Sequence, residues 1–383
     1  MKDFSVDAPK LTLEKLREWE QTTTKDPTLP PPLRTESETW SYIWRAKSGS
    51  KRRFAESDSK ASEAESDPAG SRTITTAKRG SSDDKTIPLT DPQFSKMARE
   101  NGILSMIGSR EPSNIMDICA ILETGRNSPT PGQTEFAAFR SDVEISGNEI
   151  SVEVVVLSIL KRCDLPYKRA LNQPFTKFPS KVGFNDGLSV AKPDLVEGYF
   201  APAFEPYDFE RPVGDSAIPT QCEYPIAMSH LTGDFKKLGG DFRCGQHQAA
   251  YNAAFLVYAR DQAGIAVNGP DKVDAAFVGS FICDGERLQI SVHYSSKDSS
   301  GKTVYHQTPV FDRNIRMNRA SFTDGRKHLR NLQDWAPENA NEIRLALIAH
   351  DMQSDSDALD ESIVGGPRKV ISPVSMDDKT VKK

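Results

Sequence analysis

Residues 230–251 read HLTGDFKKLGGDFRCGQHQAAY, a pattern typical of a strand, a tight loop and the first turns of a helix. Alternate residues of a strand point to the same face, so Asp234 and Lys236 are expected side by side, with Leu231 and Gly233 opposite. A carboxylate beside an ammonium can hold a divalent cation and a phosphate, and it can equally be an ordinary ion pair on a solvated strand. The rest of the chain has to decide between these two interpretations.

The composition limits the classes of protein to consider. The chain has 383 residues, enough for one large domain or two small ones. Its apolar content of 37% and mean hydropathy of −0.54 are low for a fully globular chain, which predicts that part of it is disordered. The net charge of −5 provides no global basic excess, so nucleic-acid binding would need a local basic patch or a metal.

The cysteines and the N-terminus bear on location. The five cysteines include no C-x-x-C pair, which favours reduced thiols over a zinc site or a disulfide framework. The N-terminus lacks the apolar core of a signal peptide, and no run approaches the ~18 apolar residues of a membrane span. We therefore expect an intracellular protein, nuclear or cytoplasmic, without a membrane partner. Residues 51–53, KRR, are either a nuclear-localisation or phosphate-binding cluster or a plain solvated run.

Three regions are predicted. Residues 1–90 combine a proline-rich stretch with Ser, Glu, Asp and Lys and few apolar side chains, so this N-terminal region is expected to be disordered. Residues 91–352 form the folded domain, and residues 353–383 form a disordered tail. The oligomeric state cannot be read from these patterns.

The folded domain is expected to be α+β, because helices come first and strands alternate with helices afterwards. Asp91-Pro92 is a helix start, and Asn101-Gly102 is a helix stop. Asp284-Gly285 is a two-residue hairpin signal. The predicted helices cover residues 91–100, 112–122, a segment starting near 134, 150–163, 245–264, 319–336 and 337–350; the predicted strands are a hairpin within 181–204, then 225–237, 274–286, 287–296 and 301–312.

The order of these elements, with the residues they carry, resembles the PD-(D/E)XK nuclease superfamily. Pro193-Asp194 matches the PD element, and Asp234-Phe235-Lys236 matches (D/E)-x-K. Gln246, Gln248 and Tyr251 resemble the Gln-containing helix that often follows. HLRNLQDWAPENANEIRLALI, residues 328–348, resembles the C-terminal pattern of uncharacterised fungal domains with this nuclease-like core. The resemblance covers roughly residues 131–350.

The resemblance implies a restriction-endonuclease-like core, a central mixed sheet flanked by helices, and hydrolysis of phosphodiester bonds in DNA or RNA with Mg²⁺ or Mn²⁺. It implies Asp194 and Asp234 as metal ligands and Lys236 as the group that orients or deprotonates water. Glu153 or Glu149 would supply a further carboxylate. Gln248 would position a phosphate, or it is simply an amide on the helix surface. Tyr251 is expected in the core, and His230 and His247 are expected to be structural or exposed.

Other interpretations stay open. Some related fungal families place the acid-x-Lys pair six residues after a strand-initiating proline; counted from Pro225, those positions are Leu231 and Gly233, and the site would be inactive. The chain would then be a nuclease-like fold acting as a nucleic-acid or protein binding module. A third interpretation assigns the biological effect to residues 1–90, with the folded body as a scaffold.

Overall fold

The computed structural model describes residues 86–205, 207, 213–267 and 274–364, with side chains described as far as residue 353. The predicted disordered region up to residue 85, the basic cluster at 51–53 and the tail from residue 365 lie outside the described residues. The described part is α+β, with a seven-stranded mixed sheet flanked by helices, which confirms the predicted fold class. Within it, no helix is both long and apolar enough to cross a membrane.

The elements are numbered here in chain order. The helices are α1 (Phe94–Glu100), α2 (Ile115–Glu123), α3 (Gln133–Ile145), α4 (Glu149–Leu157), α5 (Gly214–Ala217), α6 (Phe242–Ala266) and α7 (Arg319–Val364), with a 3₁₀ turn at Ala201–Phe204. The strands are β1 (Ile103–Leu104), β2 (Tyr167–Leu171), β3 (Leu195–Phe200), β4 (Ile226–Phe235), β5 (Val278–Cys283), β6 (Arg287–Lys297) and β7 (Thr303–Asn314).

The first helix begins three residues after its predicted start at Asp91 and ends at Glu100 as predicted. The Asp91 carboxylate accepts a hydrogen bond from the Gln93 backbone N–H at 2.8 Å, and α1 follows. Gly102 lies beyond its end with φ +94°, where a Cβ would approach the Thr303 carbonyl oxygen to 2.9 Å. The Asn148 side chain caps α4 by accepting from the Ser151 N–H at 3.0 Å. This helix ends at Leu157, earlier than predicted.

The sheet order is β1-β7-β6-β5-β4-β3-β2. Strands β2, β3 and β4 form an antiparallel meander, α6 crosses over, and β5 returns parallel to β4. The expected hairpin within 181–204 is wrong in its first strand, because the partner of β3 is β2. Residues 181–191 are irregular instead, since Lys181, Gly183 and Gly187 all have positive φ angles of 60°, 98° and 70°.

Strand β4 is the buried centre of the domain. All ten of its residues are buried, with α6 on one face of the sheet and α7 on the other. Leu231 faces α7, because its side chain and that of Leu332 crowd the same side of Gly279. Asp234 faces α6, where it meets Asn252. The alternation predicted for this stretch therefore separates Leu231 and Asp234 as expected.

The two predicted C-terminal helices are one helix, α7, which continues past the expected end of the domain. Proline inside a helix removes a backbone donor and normally breaks or kinks it. Here Pro337 is held by tertiary contacts: the Tyr199 hydroxyl donates to its carbonyl at 3.2 Å. The Asn339 side chain donates to the carbonyl of Trp335 at 2.7 Å, and Trp335 itself is buried. Packing therefore overrides the local stop signal.

Residues 328–335, HLRNLQDW, connect α7 to other elements of the domain through hydrogen bonds. Arg330 donates to two backbone carbonyls just after α4, at 2.9 and 3.3 Å. Gln333 accepts from the Lys161 N–H at 2.7 Å and donates to buried Glu197 of β3 at 2.8 Å. Asn331 donates to three carbonyls at the C-terminal end of α2, at 2.8 to 3.2 Å. The motif thus ties α7 to α2, α4 and β3 and accounts for its polar residues without any catalytic role.

Because three histidines are buried, the folded protein should become less stable in mild acid. Desolvation lowers the pKa of His230 and of His293 to about 3, and that of His306 to about 4. Below the ordinary value of 6.5 the unfolded chain takes up protons that the folded chain excludes, so the free energy of unfolding falls as pH drops. Each such histidine contributes a slope of about 1.4 kcal/mol per pH unit.

His293→Gln isolates one of these terms. The Ser280 hydroxyl lies 2.7 Å from the imidazole Nε2, and a glutamine amide can also hydrogen-bond with it. The free energy of unfolding, measured with urea, should change less with pH between about 5 and 6.5 in this variant than in the wild type. The difference in slope should correspond to the uptake of about one proton. Equal slopes would mean that His293 is not held neutral in the folded protein.

Candidate functional site

Asp194 and Asp234 meet at one end of the sheet. Asp194 immediately precedes β3, Asp234 is near the end of β4, and the antiparallel pairing sets Leu195 opposite Gly233. The two aspartates are therefore neighbours across the strands, on the face that α6 covers. The long separation of the two residues in sequence is taken up by the excursion that contains α5.

Backbone and side-chain hydrogen bonds interlock the pair. The backbone N–H of Phe235 donates to Oδ2 of Asp194 at 2.8 Å, and the Asp194 backbone in turn hydrogen-bonds to the Asp234 carboxyl. From α6, the Nδ2 of Asn252 lies 3.0 Å from Oδ1 and 3.4 Å from Oδ2 of Asp234. Asp234 and Asn252 are both completely buried. These contacts hold both carboxyls in a defined orientation.

The electrostatics of the pair disfavour two bare anions. Burial raises the pKa of Asp194, although the Phe235 N–H and the Lys236 ammonium act in the opposite direction. Burial raises the pKa of Asp234 well above its usual range, and the neighbouring Asp194 charge raises it further. Two adjacent carboxyls with raised pKa values take up either protons or a cation, and such pairs cluster at functional sites.

Lys236 lies close to both aspartates. Its backbone N–H bonds the Cys283 carbonyl at 3.0 Å, which continues the β4–β5 ladder by one residue. Its Nζ donates to Oε1 of Gln248 at 3.0 Å and lies 3.9 Å from Oε1 of Glu149. Only 11% of the Lys236 side chain is exposed. The lysine of the D-x-K pattern is therefore directed towards α4 and α6, beside Asp234.

Gly233, the alternative position for the lysine, has no room for a side chain. A Cβ on Gly233 would lie 2.3 Å from Cζ of Phe281, on the α7 face of the sheet. Leu231, the other position of that register, is completely buried against the same apolar layer. The positions of the register counted from Pro225 therefore point into the core on the α7 face, whereas Asp234 and Lys236 contact polar side chains of α6.

Glu149 and Glu153 of α4 stand beside this pair. Both charges raise the pKa of Asp194, so both are close to it. Glu153 is buried, whereas 58% of the Glu149 side chain is exposed. Asp194, Asp234 and Glu153 do not converge to within 4.8 Å as a set of three ligands; within the described ranges, the convergent set is Glu123, Asp324 and His328. Glu153, the predicted third ligand, therefore lies near the two aspartates but does not complete a three-ligand set with them.

The Glu123–Asp324–His328 cluster, which sequence patterns did not reveal, is already neutralised. The Lys327 ammonium lies 2.7 Å from Glu123 and 3.1 Å from Asp324. Arg313 donates to Asp324 at 2.8 Å. Both carboxylates are therefore already paired with cations, so the cluster fits an ionic link between α2 and α7 better than a metal centre.

The helix after the D-x-K strand carries one residue that sequence reasoning missed. Gln248, predicted to position a phosphate or to be a surface amide, contacts Lys236, whereas Gln246 donates to Gln289 of β6 at 2.8 Å. Asn252, one turn beyond Gln248, is the residue that contacts Asp234. Its i+4 spacing from Gln248 was the available signal, because residues four apart share a helix face.

The remaining singled-out side chains of this region are structural. Tyr251 packs its ring against Phe94 at 5.3 Å and Phe255 at 5.0 Å, and its hydroxyl donates to the Ser189 carbonyl at 2.7 Å. His230 is buried, and His247 is half-buried with its Nδ1 2.9 Å from the Ser105 hydroxyl.

Comparison of the chain with family models, curated proteins and solved structures finds no match.

Proposed function

We propose that this chain is a metal-dependent nuclease that hydrolyses phosphodiester bonds. One observation carries the proposal: Asp194 and Asp234 are neighbours at one end of the sheet, with Lys236 and Gln248 beside them. Two carboxylates, an ammonium and an amide are the groups needed to bind a cation and a phosphate together. The order α4-β2-β3-β4-α6-β5, an antiparallel meander followed by a parallel strand, supports a restriction-endonuclease-like core.

The donor set suits Mg²⁺ or Mn²⁺. Both are hard cations that prefer carboxylate oxygens and water, and Asp194 and Asp234 supply such oxygens. The raised pKa values of both carboxyls mark a place where a divalent cation would relieve the repulsion between them. When bound, the metal supplies Lewis-acid polarisation of the phosphate and acidification of water. The cysteines and histidines of the described residues do not contribute to this donor set.

The protein groups have separable roles. Asn252 orients Asp234, since its amide donates to both carboxylate oxygens. Gln248 orients the Lys236 ammonium, which can then donate to a phosphate oxygen or hold the attacking water. Glu149 lies on the exposed side of the ammonium, so substrate reaches Lys236 from that side.

A second function has one specific observation in its favour. Asp194, Asp234 and Glu153 do not converge as a three-ligand set, and Lys236 is already held by Gln248 and Glu149. A nuclease-like fold that binds nucleic acid or protein without cleaving it would have this arrangement. Residues 1–90, the basis of the scaffold interpretation, lie mostly outside the described residues and give no evidence for either function.

A cleavage assay tests the proposal. Purified protein with Mg²⁺ or Mn²⁺ should cut single- or double-stranded DNA or RNA, and EDTA should stop the reaction. Lys236→Ala should reduce the rate about 10²- to 10⁴-fold, because it removes a charge positioned at the reacting phosphate. Lys237→Ala removes the same charge from the next, exposed residue and should leave the rate unchanged. Equal rates in wild type and Lys236→Ala would show the site assignment to be wrong. Absence of metal-dependent cleavage on all four substrates favours the binding module.

A further inference from the structure

A basic groove lies on the side of α6 that is turned away from the candidate site. It has a volume of about 280 Å³ and runs between α1, the segment after β1 and the first turns of α6. Lys96 and Arg99 of α1 line one wall, and Arg243 and His247 of α6 line the other. No aspartate or glutamate lines it. In a chain of net charge −5, three cations in one groove without a lining acid form a distinct local patch.

The cations of the groove are available to a ligand. Neither Arg99 nor Arg243 forms an ion pair with a carboxylate in the part of the chain that the structure describes. Lys96 lies 3.9 Å from Glu100, but 79% of the lysine side chain and 61% of the glutamate side chain are exposed, so this pair is weak. The pKa of His247 is lowered, first by burial and then by the Arg243 charge. Arg243 therefore lies close to His247 on the same wall, and the Asp241 charge acts on the pKa of His247 in the opposite direction.

Helix α6 connects the groove to the candidate site. Arg243, His247 and Ala250 follow i, i+4, i+7 spacing and line the groove. Gln248 and Asn252, also four apart, contact Lys236 and Asp234. Successive residues are ~100° apart around a helix, so the groove stripe centres about 150° from the stripe of Gln248 and Asn252, on the opposite side of α6. Arg243 and Gln248 are five residues apart, about 7.5 Å along the helix axis.

We propose that this groove binds a backbone phosphate of a nucleic-acid strand. Guanidinium groups match phosphate oxygens with two parallel hydrogen bonds, and two arginines on facing walls can hold one phosphate from both sides. The Ser95 and Ser105 hydroxyls, also in the groove, can donate to the same oxygens. The affinity of the groove for phosphate stands on its own; only the identification of the strand as the one to be cleaved rests on the proposed function.

Binding of a fluorescently labelled oligothymidylate to the full chain tests the groove. The experiment uses the Asp234→Asn background without divalent metal, so that cleavage does not interfere. Adding Arg243→Ala should lower affinity about fivefold and reduce the slope of log K against log salt by about 0.7, the value of one lost phosphate contact with a single strand. The matched control is Arg162→Ala, an exposed arginine 3.1 Å from Asp164 and past the end of α4 opposite to Glu149.

The outcomes separate the two proposals. A slope change in Arg243→Ala and not in Arg162→Ala supports the groove, even if the wild type cleaves nothing. Equal slopes in the two variants would overturn it. Inorganic phosphate as a competitor provides the second arm: phosphate at ~10 mM should displace the label from the protein with Arg243 intact and displace less of it from Arg243→Ala, because the guanidinium recognises the phosphate group itself. Phosphate binding that needs Arg243 while the labelled strand does not would overturn the assignment to a strand.

Discussion

Asp234→Asn should reduce metal-dependent cleavage by about 10³-fold or more and, at the same time, raise the thermal midpoint of the metal-free protein. Activity falls because an amide is a poor ligand for a divalent cation compared with a carboxylate. Stability rises because burial and the Asp194 charge both disfavour the ionised carboxyl in the folded state. A neutral side chain of the same shape removes this cost. Loss of activity together with a gain in stability is common for substitutions at active sites.

The surroundings of Asp234 can accommodate the new amide. Oδ1 of Asn252 is buried and has no hydrogen-bond partner among the described residues, so it can accept from the introduced NH₂ group after rotation of its own amide. Asp241→Asn is the matched control, because Asp241 caps α6 by accepting from the Cys244 N–H at 3.0 Å. Asparagine caps about as well as aspartate, so both rate and midpoint should stay unchanged there.

Rates with Mg²⁺ and melting curves in EDTA check both halves of this prediction. Cleavage within about threefold of wild type would remove Asp234 from the catalytic site. A midpoint lowered by several degrees would show that its carboxylate serves the fold instead.

Gly233→Ala should lower the free energy of unfolding by about 2–3 kcal/mol. The added Cβ would sit 2.3 Å from Cζ and 2.6 Å from Cε1 of Phe281, far inside van der Waals contact. Both residues lie in the completely buried centre of the sheet, so neither strand can move away easily. Only displacement of the ring or of the β4–β5 pair relieves the overlap.

Urea unfolding of Gly233→Ala and of Gly125→Ala gives the comparison. A Cβ on Gly125 meets nothing within 4 Å, so the control should lie within about 0.5 kcal/mol of wild type. Combining Gly233→Ala with Phe281→Leu should recover part of the loss, because the shorter side chain leaves space for the methyl group. Unchanged stability in Gly233→Ala would mean that this position accommodates a side chain. That result would support the register counted from Pro225.

The strongest elements were readable from local pattern. Strand β4 and helix α6 were predicted close to their observed bounds, and the Asp284-Gly285 hairpin joins β5 to β6 as predicted. Strand β2 was missed because it is an edge strand whose five residues are all half-buried, so YKRAL shows no apolar alternation. The division of α7 at Pro337 was wrong because the contacts that hold that turn come from β3, far away in sequence.

Sequence by itself determined that an acid-x-Lys pair ends a buried strand, that an aspartate opens an earlier strand, and that a helix with polar residues four apart follows. The sequence also left two registers for the acid-x-Lys positions, Leu231 with Gly233 or Asp234 with Lys236. These two pairs lie on opposite faces of the strand. Only the tertiary structure decided between them, since it fills the space beside Gly233 with Phe281 and directs Lys236 towards Gln248. The pairing of Asp194 with Asp234, the support from Asn252 and the basic groove beside α6 likewise needed the tertiary structure. Strand register and helix docking arise from contacts between residues distant in the chain, and a local pattern of residue types does not encode them.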